Sequence, residues 1–109
     1  MGLNPKLFSL LGMCRKAGRL SCGHDAALGS IKSKKAKLCI LTLDSSERLR
    51  REMEREITFH AFVPIHIINA TIDEIGRATG LRSAVLTVND EGFAKAMSVL
   101  LDKEEEVNQ

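Results

Sequence analysis

The chain has 109 residues, of which 44% are hydrophobic and 28% charged, so it can form one hydrophobic core but not two. It has no run near the roughly 18 apolar residues of a membrane span, and its first twelve residues lack a secretory cleavage pattern, so we expect a cytoplasmic protein. The net charge of +2 hides an asymmetry: residues 1–43 carry eight basic side chains and one acid, and the remainder carries eight and thirteen. A half with a charge of +7 favours a polyanionic partner.

Helical and strand patterns alternate along the chain. The helices are predicted from capping residues and apolar stripes, at residues 5–17, 24–33, 47–58, 72–80 and 90–101. The strands are predicted from short apolar runs, at residues 20–22, 37–43, 63–68 and 84–88. Thr71 and Glu74 have the spacing of a capping box before the fourth helix. In the second helix, Ala26, Ala27 and Ile31 are expected on the buried side.

This alternation predicts an α/β/α three-layer sandwich with a small mixed four-stranded sheet. The run from Lys37 to Leu43 is almost entirely apolar, so it is expected at the centre of that sheet with both faces covered. Residues 1–101 are predicted to form the single domain, and residues 102–109 to form an acidic, flexible tail.

Enzymatic signatures are scarce in this sequence. It contains no P-loop, no G-x-G-x-x-G and no G-x-S-x-G motif. His24 adjoins Asp25, but two such residues at a helix start are more often capping groups than an acid-base pair. The odd, widely spaced cysteines at 14, 22 and 39 are typical of reduced core thiols rather than disulfides or metal ligands. We therefore expect no enzyme, cofactor, metal or small-molecule substrate.

The start of the second helix is better suited to binding an anion. Its first backbone N–H groups carry the positive end of the helix dipole, so a phosphate is expected beside Gly23, His24 and Asp25. A predicted basic patch, which would add salt-sensitive affinity, consists of Lys32, Lys34, Lys35 and Lys37. The absence of Tyr and Trp argues against a base-stacking platform, so recognition of RNA by shape is the expected mode.

Five segments, in their order and spacing, resemble one known family. They read LLGMCRKAGRL at 10–20, KAKLCILTLDSS at 35–46, VP at 63–64, IGRATG at 75–80 and DEGFAK at 90–95. The family is that of the ribosomal proteins L7Ae and L30e, including the small bacterial YlxQ-like RNA-binding proteins, and the resemblance covers nearly the whole chain. It implies an α/β/α sandwich that binds ribosomal or other structured RNA, in many members a kink-turn, which is a sharp bend held by sheared G·A pairs.

The family's recognition motif, Gly-x-Asn-Glu-x-x-Lys, falls at the start of the second helix. Gly23 matches it, whereas Asp25, Ala26 and Gly29 stand at the Asn, Glu and Lys positions. An ionised Asp only accepts hydrogen bonds, while an Asn amide both donates and accepts at a guanine edge. Gly29 removes a cation, which Lys32 could partly replace.

The resemblance also implies a second RNA contact, in the loop before the last strand. There Leu81, Arg82 and Ser83 would pack against a flipped-out base, although Leu81 could equally cover the end of the preceding helix. Gly76 is expected to permit a close backbone approach, either to RNA or to a neighbouring helix.

Two other functions remain open at this point. The third helix, rich in Glu and Arg, could be the docking face of a protein-interaction adaptor on the same fold. A detached substrate-binding domain of an RNA methyltransferase is the less favoured alternative, because nothing in the chain resembles a cofactor-binding part.

Overall fold

The computed structural model describes residues 4–60 and 62–108, with side chains up to residue 103. In this part of the chain the elements are α1 Pro5–Lys16, β1 Leu20–Cys22, α2 His24–Lys32, β2 Leu38–Leu41, α3 Glu47–His60, β3 Ile65–Ile67, α4 Ile72–Thr79, β4 Val85–Val88 and α5 Glu91–Asn108. Every predicted helix and strand is present, and the ends differ by one or two residues except at the end of α5.

Helix α5 continues to Asn108, so the predicted helix end near Leu101 is wrong. Residues 104–106 are three consecutive glutamates, a residue type that has high helix propensity but is equally typical of an acidic, solvated tail. Residues 1–3 and 109, which the domain and tail predictions included, lie outside the described residues. The flexibility of 102–109 stays a prediction.

The four strands form one mixed sheet in the order β1-β4-β2-β3. Strand β4 is antiparallel to both β1 and β2, and β2 is parallel to β3. Strands β1, β2 and β3 therefore all finish at the same end of the sheet, where β4 begins. We call this end, marked by Cys22 and Val85, the upper end of the sheet, and the opposite end, marked by Leu38 and Val88, the lower end.

Alternate side chains of β2 enter two different cores. Leu38 and Ile40 pack in a cluster with residues of α1, α4 and α5, whereas Cys39 and Leu41 pack in a cluster with residues of α2 and α3. All four are buried, because helices cover both faces of the sheet. The predicted three-layer sandwich is confirmed.

Helix α2 buries Ala27, Ser30 and Ile31, and leaves Ala26 exposed. The expectation that Ala26 faces inward is wrong, because successive residues are about 100° apart around a helix and the buried stripe is centred on Ala27. Ser30 remains satisfied inside this stripe, since its hydroxyl lies 2.7 Å from the Ser21 hydroxyl of β1.

Helix α4 has the capping box predicted for it. The Glu74 N–H donates to Thr71 Oγ1 at 3.2 Å, and the Thr71 N–H donates to Glu74 Oε1 at 3.1 Å. At the other end, Gly80 adopts a φ of +86°, a left-handed conformation that favours glycine. Both ends of α4 are thus fixed, which determines where the loop before β4 begins.

Candidate nucleic-acid interface

The start of α2 and the loop before β4 lie at the upper end of the sheet. Gly23 turns the chain from β1 into α2 with a φ of +96°, and its N–H donates to the Val85 carbonyl at 2.9 Å. Gly23, the N-cap residue, has no side chain to accept from the first N–H groups of α2, and no other side chain among the described residues accepts from them. Val85 follows the Leu81–Ser83 loop by two residues. The start of α2 and this loop, the two contact segments implied by the family resemblance, therefore both lie at the upper end of the sheet.

His24 is held between two carboxylates rather than acting as a helix cap. Its Nε2 lies 2.9 Å from Glu52 Oε2 on α3, and its Nδ1 lies 3.2 Å from Asp25 Oδ1. The hydrogen bond with Glu52, followed by that with Asp25, raises the pKa of His24 above its ordinary value. The capping role expected for His24 and Asp25 is therefore absent, and a histidinium here would stand beside the open N–H groups of α2.

The Leu81–Ser83 loop is fixed by its own hydrogen bonds and by α4. Thr79 Oγ1 accepts from the Leu81 N–H at 3.2 Å, and buried Ser83 donates from its hydroxyl to the Leu81 carbonyl at 3.3 Å. The Arg82 guanidinium pairs with Asp73 at 2.6 Å. Leu81 is 43% exposed, so the loop presents an apolar side chain next to Arg82, whose charge is balanced by Asp73.

Gly76 is the point at which α4 approaches this loop most closely. A Cβ atom at Gly76 would lie 2.8 Å from Arg82 Cγ, closer than such atoms pack in proteins. Gly76 therefore closely approaches Arg82 rather than a neighbouring helix, and the alternative approach to RNA stays a prediction.

The predicted basic patch lies at the other end of α2. The nine residues of this helix rise about 14 Å from the upper to the lower end of the sheet, where the Lys37 N–H donates to the Val88 carbonyl at 2.7 Å. All four lysines are exposed, and none forms an ion pair with another described residue. The lysines and the α2 start are thus two surfaces, separated by the length of the helix.

Lys34 has an unusual backbone conformation for its residue type. Its φ is +63°, and it closes α2 in a Schellman motif: its N–H donates to the Ile31 carbonyl and the Lys35 N–H to the Ser30 carbonyl, at 3.1 and 2.9 Å. Glycine is the usual residue at this position, and any other side chain costs about 1 kcal/mol.

An aromatic side chain that the sequence pattern does not single out lies beside Lys32. Phe59, near the end of α3, is 83% exposed and lines an open depression of 470 Å³ together with Lys32, Arg55, Glu56 and His60. A phenylalanine count does not reveal this, because most phenylalanines are buried. The available signal was the helical phase: Phe59 follows buried Ile57 by two residues, and so lies about 200° around the helix from it.

The cysteines lack the environment of reactive thiols. Burial raises the pKa of Cys22, whereas an activated cysteine has a lowered pKa. All three thiols are free; Cys14 and Cys39 are buried as predicted, and Cys22 is only partly buried. Among the described residues no group of three or more His, Cys, Asp or Glu could hold a metal ion, and no helix is long and apolar enough to cross a bilayer.

Comparison with known proteins settles the family. The model of the "Ribosomal protein L7Ae/L30e/S12e/Gadd45 family" matches residues 6–98. The chain belongs to the L7Ae family. Two curated proteins named "RNA-binding protein YlxQ" are similar to it along nearly their full lengths. That of Bacillus subtilis (strain 168) is 30% identical over 96 residues, 87% of this chain and 94% of the relative. That of Enterococcus faecium is 25% identical over 101 residues, 93% and 96% of the two chains.

Solved structures share the L7Ae-type fold. A protein of unknown function from Bacillus halodurans C superposes with a TM-score of 0.81 and 24% identity, covering 91% of this chain and 99% of that one. The Giardia lamblia 15.5kD RNA binding protein superposes with a TM-score of 0.73 and 18% identity, covering 96% and 92%. The family resemblance and the fold predicted from the sequence are both confirmed, and the names of the curated relatives describe RNA-binding proteins rather than enzymes.

Proposed function

We propose that this protein binds structured RNA at the upper end of its sheet, through the start of α2 and the Leu81–Ser83 loop. The observation that carries the proposal is the Gly23 N–H to Val85 carbonyl bond of 2.9 Å, since it joins an uncapped helix start to the strand that follows this loop. The RNA-binding names of the two curated relatives support RNA as the partner. The proposal assigns no catalysis to the protein.

The start of α2 can supply several contacts to RNA. Its open N–H groups donate to a phosphate or to a base edge, and the helix dipole favours the negative charge. Protonated His24 adds a positive charge beside them, while exposed Asp25 accepts hydrogen bonds and repels phosphates. Binding at the upper end of the sheet therefore depends on placing the hydrogen-bonding edge of a base, rather than a phosphate, next to Asp25.

A kink-turn is the form of RNA that we propose first. In such a bend an inserted helix start meets sheared G·A pairs, and exposed Leu81 is available to a base that has left the stack. The three residues that depart from the family motif, Asp25, Ala26 and Gly29, are all exposed on α2, so each can face the groove. Without the Asn, Glu and Lys of that motif, recognition would rest more on the bent shape than on hydrogen bonds to the bases.

The four lysines at the lower end would contribute to the affinity of longer RNA. An RNA duplex that contacts both ends of α2 must extend about 14 Å along the helix, less than the length of one helical turn of RNA. Their contacts are made to phosphates, so they add affinity without sequence preference. We further propose ribosomal RNA as the first natural target and the cytoplasm as the location, where the three free cysteines would remain reduced.

The upper-end surface is tested by replacing Leu81 with alanine. We expect Leu81→Ala to weaken binding of a kink-turn RNA several-fold, because it removes the apolar contact of the loop. The matched control is Val99→Ala on α5, an apolar residue of similar exposure (52%) that belongs to neither of the two proposed contact segments. Fluorescence anisotropy with a labelled kink-turn measures both. Equal affinity of the two variants would remove the loop from the interface.

A further inference from the structure

We propose that the lower end of the molecule is a second RNA-binding surface, on which a single-stranded segment stacks a base against Phe59 while its phosphates contact Lys32, Lys34 and Arg55. This aromatic-basic surface consists of Lys32, Lys34, Arg55, Phe59 and His60. It goes beyond the proposed function, in which Lys32 and Lys34 contact only duplex phosphates, because stacking on the exposed Phe59 ring requires an unpaired base.

The topology brings the ends of two helices together at this surface. Helix α3 begins after the upper end of β2 and leads to the lower start of β3, which is parallel to β2. Helices α2 and α3 therefore both end at the lower end. As a result Lys32, from the last turn of α2, lines the same open depression as Phe59 and His60 from the last turn of α3.

Phe59 is placed to receive a planar ligand. It lines the 470 Å³ depression on the Lys32 side and a second one of 830 Å³ formed with Arg51, Glu54, Arg55 and Thr58. Its ring meets the His60 ring edge to face, with centroids 4.9 Å apart and an angle of 72°. His60 is in turn held by Glu56 at 3.2 Å. The Phe59 ring is thus supported on one side and remains 83% exposed.

The charges around Phe59 favour a polyanion. Lys32 and Arg55 form no ion pair with any residue in the described part of the chain. The acids nearby are mostly engaged: Glu56 with His60, and Glu47 with Arg51 at 2.6 Å. Glu54 is the remaining carboxylate in the larger depression, where it lies with Arg55 and with Arg51.

The backbone conformation of Lys34 is a second observation, independent of the depressions around Phe59. Lys34 keeps a long cationic side chain at a φ of +63°, where glycine would close α2 without strain. Backbone strain of this kind is concentrated at functional sites, and the Lys34 side chain is exposed rather than packed in the core. Cations that follow a backbone next to an exposed aromatic ring are the arrangement that binds single-stranded nucleic acid. A protein partner would use the apolar area of Phe59 but would not need its aromatic face.

The test is fluorescence anisotropy with a labelled ten-nucleotide single-stranded RNA that contains one 2-aminopurine. We expect Phe59→Ala and Phe59→Leu each to weaken binding about five-fold or more, and to abolish the change in 2-aminopurine fluorescence that reports stacking. Lys34→Gly should reduce the slope of log affinity against log salt concentration by about 0.7 for the lost phosphate contact. Val99→Ala and Lys95→Gln on α5 are the matched apolar and charge controls, and thermal unfolding checks that each variant is folded.

Wild-type affinity in Phe59→Ala would overturn the inference. Full binding by Phe59→Leu would overturn it too, since it would show that binding of the RNA does not depend on stacking against an aromatic ring. Leu81→Ala separates this inference from the proposed function, because it should weaken kink-turn binding and leave the single-stranded probe unaffected. If the wild-type protein binds an intact and a disrupted kink-turn equally while its binding of the single strand still depends on Phe59, that result refutes only the proposed function.

Discussion

His24 Nε2 lies 2.9 Å from Glu52 Oε2, a contact that joins the first residue of α2 to the middle of α3. The two residues are 28 positions apart in the chain, and the contact lies beside the open N–H groups on which RNA binding is proposed to depend. The protonation of His24 therefore affects both the stability of the fold and the charge of the proposed interface.

The first prediction concerns pH and stability. Glu52 and Asp25 raise the pKa of His24 in the folded state above the 6.5 of an unperturbed histidine. The stabilisation is thus fully present below pH 6.5 and is lost as the pH rises through the raised value. We expect Glu52→Gln to reduce this pH dependence, as measured by urea unfolding between about pH 5.5 and 8.5. Glu47→Gln on the same helix, which makes the same charge change away from His24, should leave it intact. Identical pH profiles for wild type and Glu52→Gln would contradict the prediction.

The second prediction concerns the family motif. Asp25→Asn should bind a kink-turn RNA several-fold more tightly, because the amide both donates and accepts and no longer repels phosphates. The control is Asp102→Asn on α5, which makes the same change in net charge at another exposed site. Anisotropy titrations of both variants measure the effect. No gain for Asp25→Asn relative to this control would mean that α2 does not enter the groove as in the family.

The third prediction concerns the contact between Gly76 and Arg82. Gly76→Ala places a methyl group 2.8 Å from Arg82 Cγ, so Arg82 must move and its pair with Asp73 is disturbed. We expect a loss of about 1 kcal/mol in the free energy of unfolding and weaker kink-turn binding through the displaced loop.

Gly29→Ala is the matched control for this change. A Cβ at Gly29 meets nothing within 4 Å, so alanine there should stabilise α2 by about 1 kcal/mol. Urea unfolding of both variants compares the two signs directly. Equal stabilisation by Gly76→Ala and Gly29→Ala would show that the position of the loop does not require a glycine at residue 76.

The fourth prediction concerns the lysines at the lower end. The double variant Lys34→Glu, Lys35→Glu should weaken RNA binding and reduce the salt slope by about one unit for each lysine that contacts a phosphate. Lys95→Glu with Lys103→Glu on α5 changes the net charge equally and serves as the control. The slopes come from titrations at several salt concentrations. If both double variants lower affinity by the same factor, the effect is one of net charge alone.

The fold could be predicted because its signals are local. Caps, apolar stripes and the buried run of β2 each lie within a few residues, and the alternation of helices and strands predicts the layer arrangement, which the resemblance to the L7Ae family also implies. The order of the strands depends on pairing between β1 and β4, which are more than 60 residues apart, and no local pattern specifies that pairing. The end of α5 was misplaced because glutamates are favourable both in a helix and in a solvated tail.

The candidate site was predictable in its parts and not in its arrangement. The resemblance implies contacts at Gly23 and at the Leu81–Ser83 loop, and in the folded chain both lie at the upper end of the sheet. The lysines are near Gly23 in sequence, which predicts one surface, but the nine residues of α2 separate the two sets in space. The contacts of Glu52 with His24 and of Gly76 with Arg82 arise only when separate elements pack together.

The central claim, recognition of bent RNA at the upper end of the sheet, is tested most directly with two RNAs. One contains an intact kink-turn, and the other is the same RNA with its G·A pairs disrupted; both are titrated by fluorescence anisotropy at low and moderate salt. The account predicts tighter binding of the intact kink-turn at both salt concentrations. Equal, salt-sensitive binding of the two RNAs, or binding of neither, would contradict it, and the second result would favour a protein-interaction adaptor on the same fold.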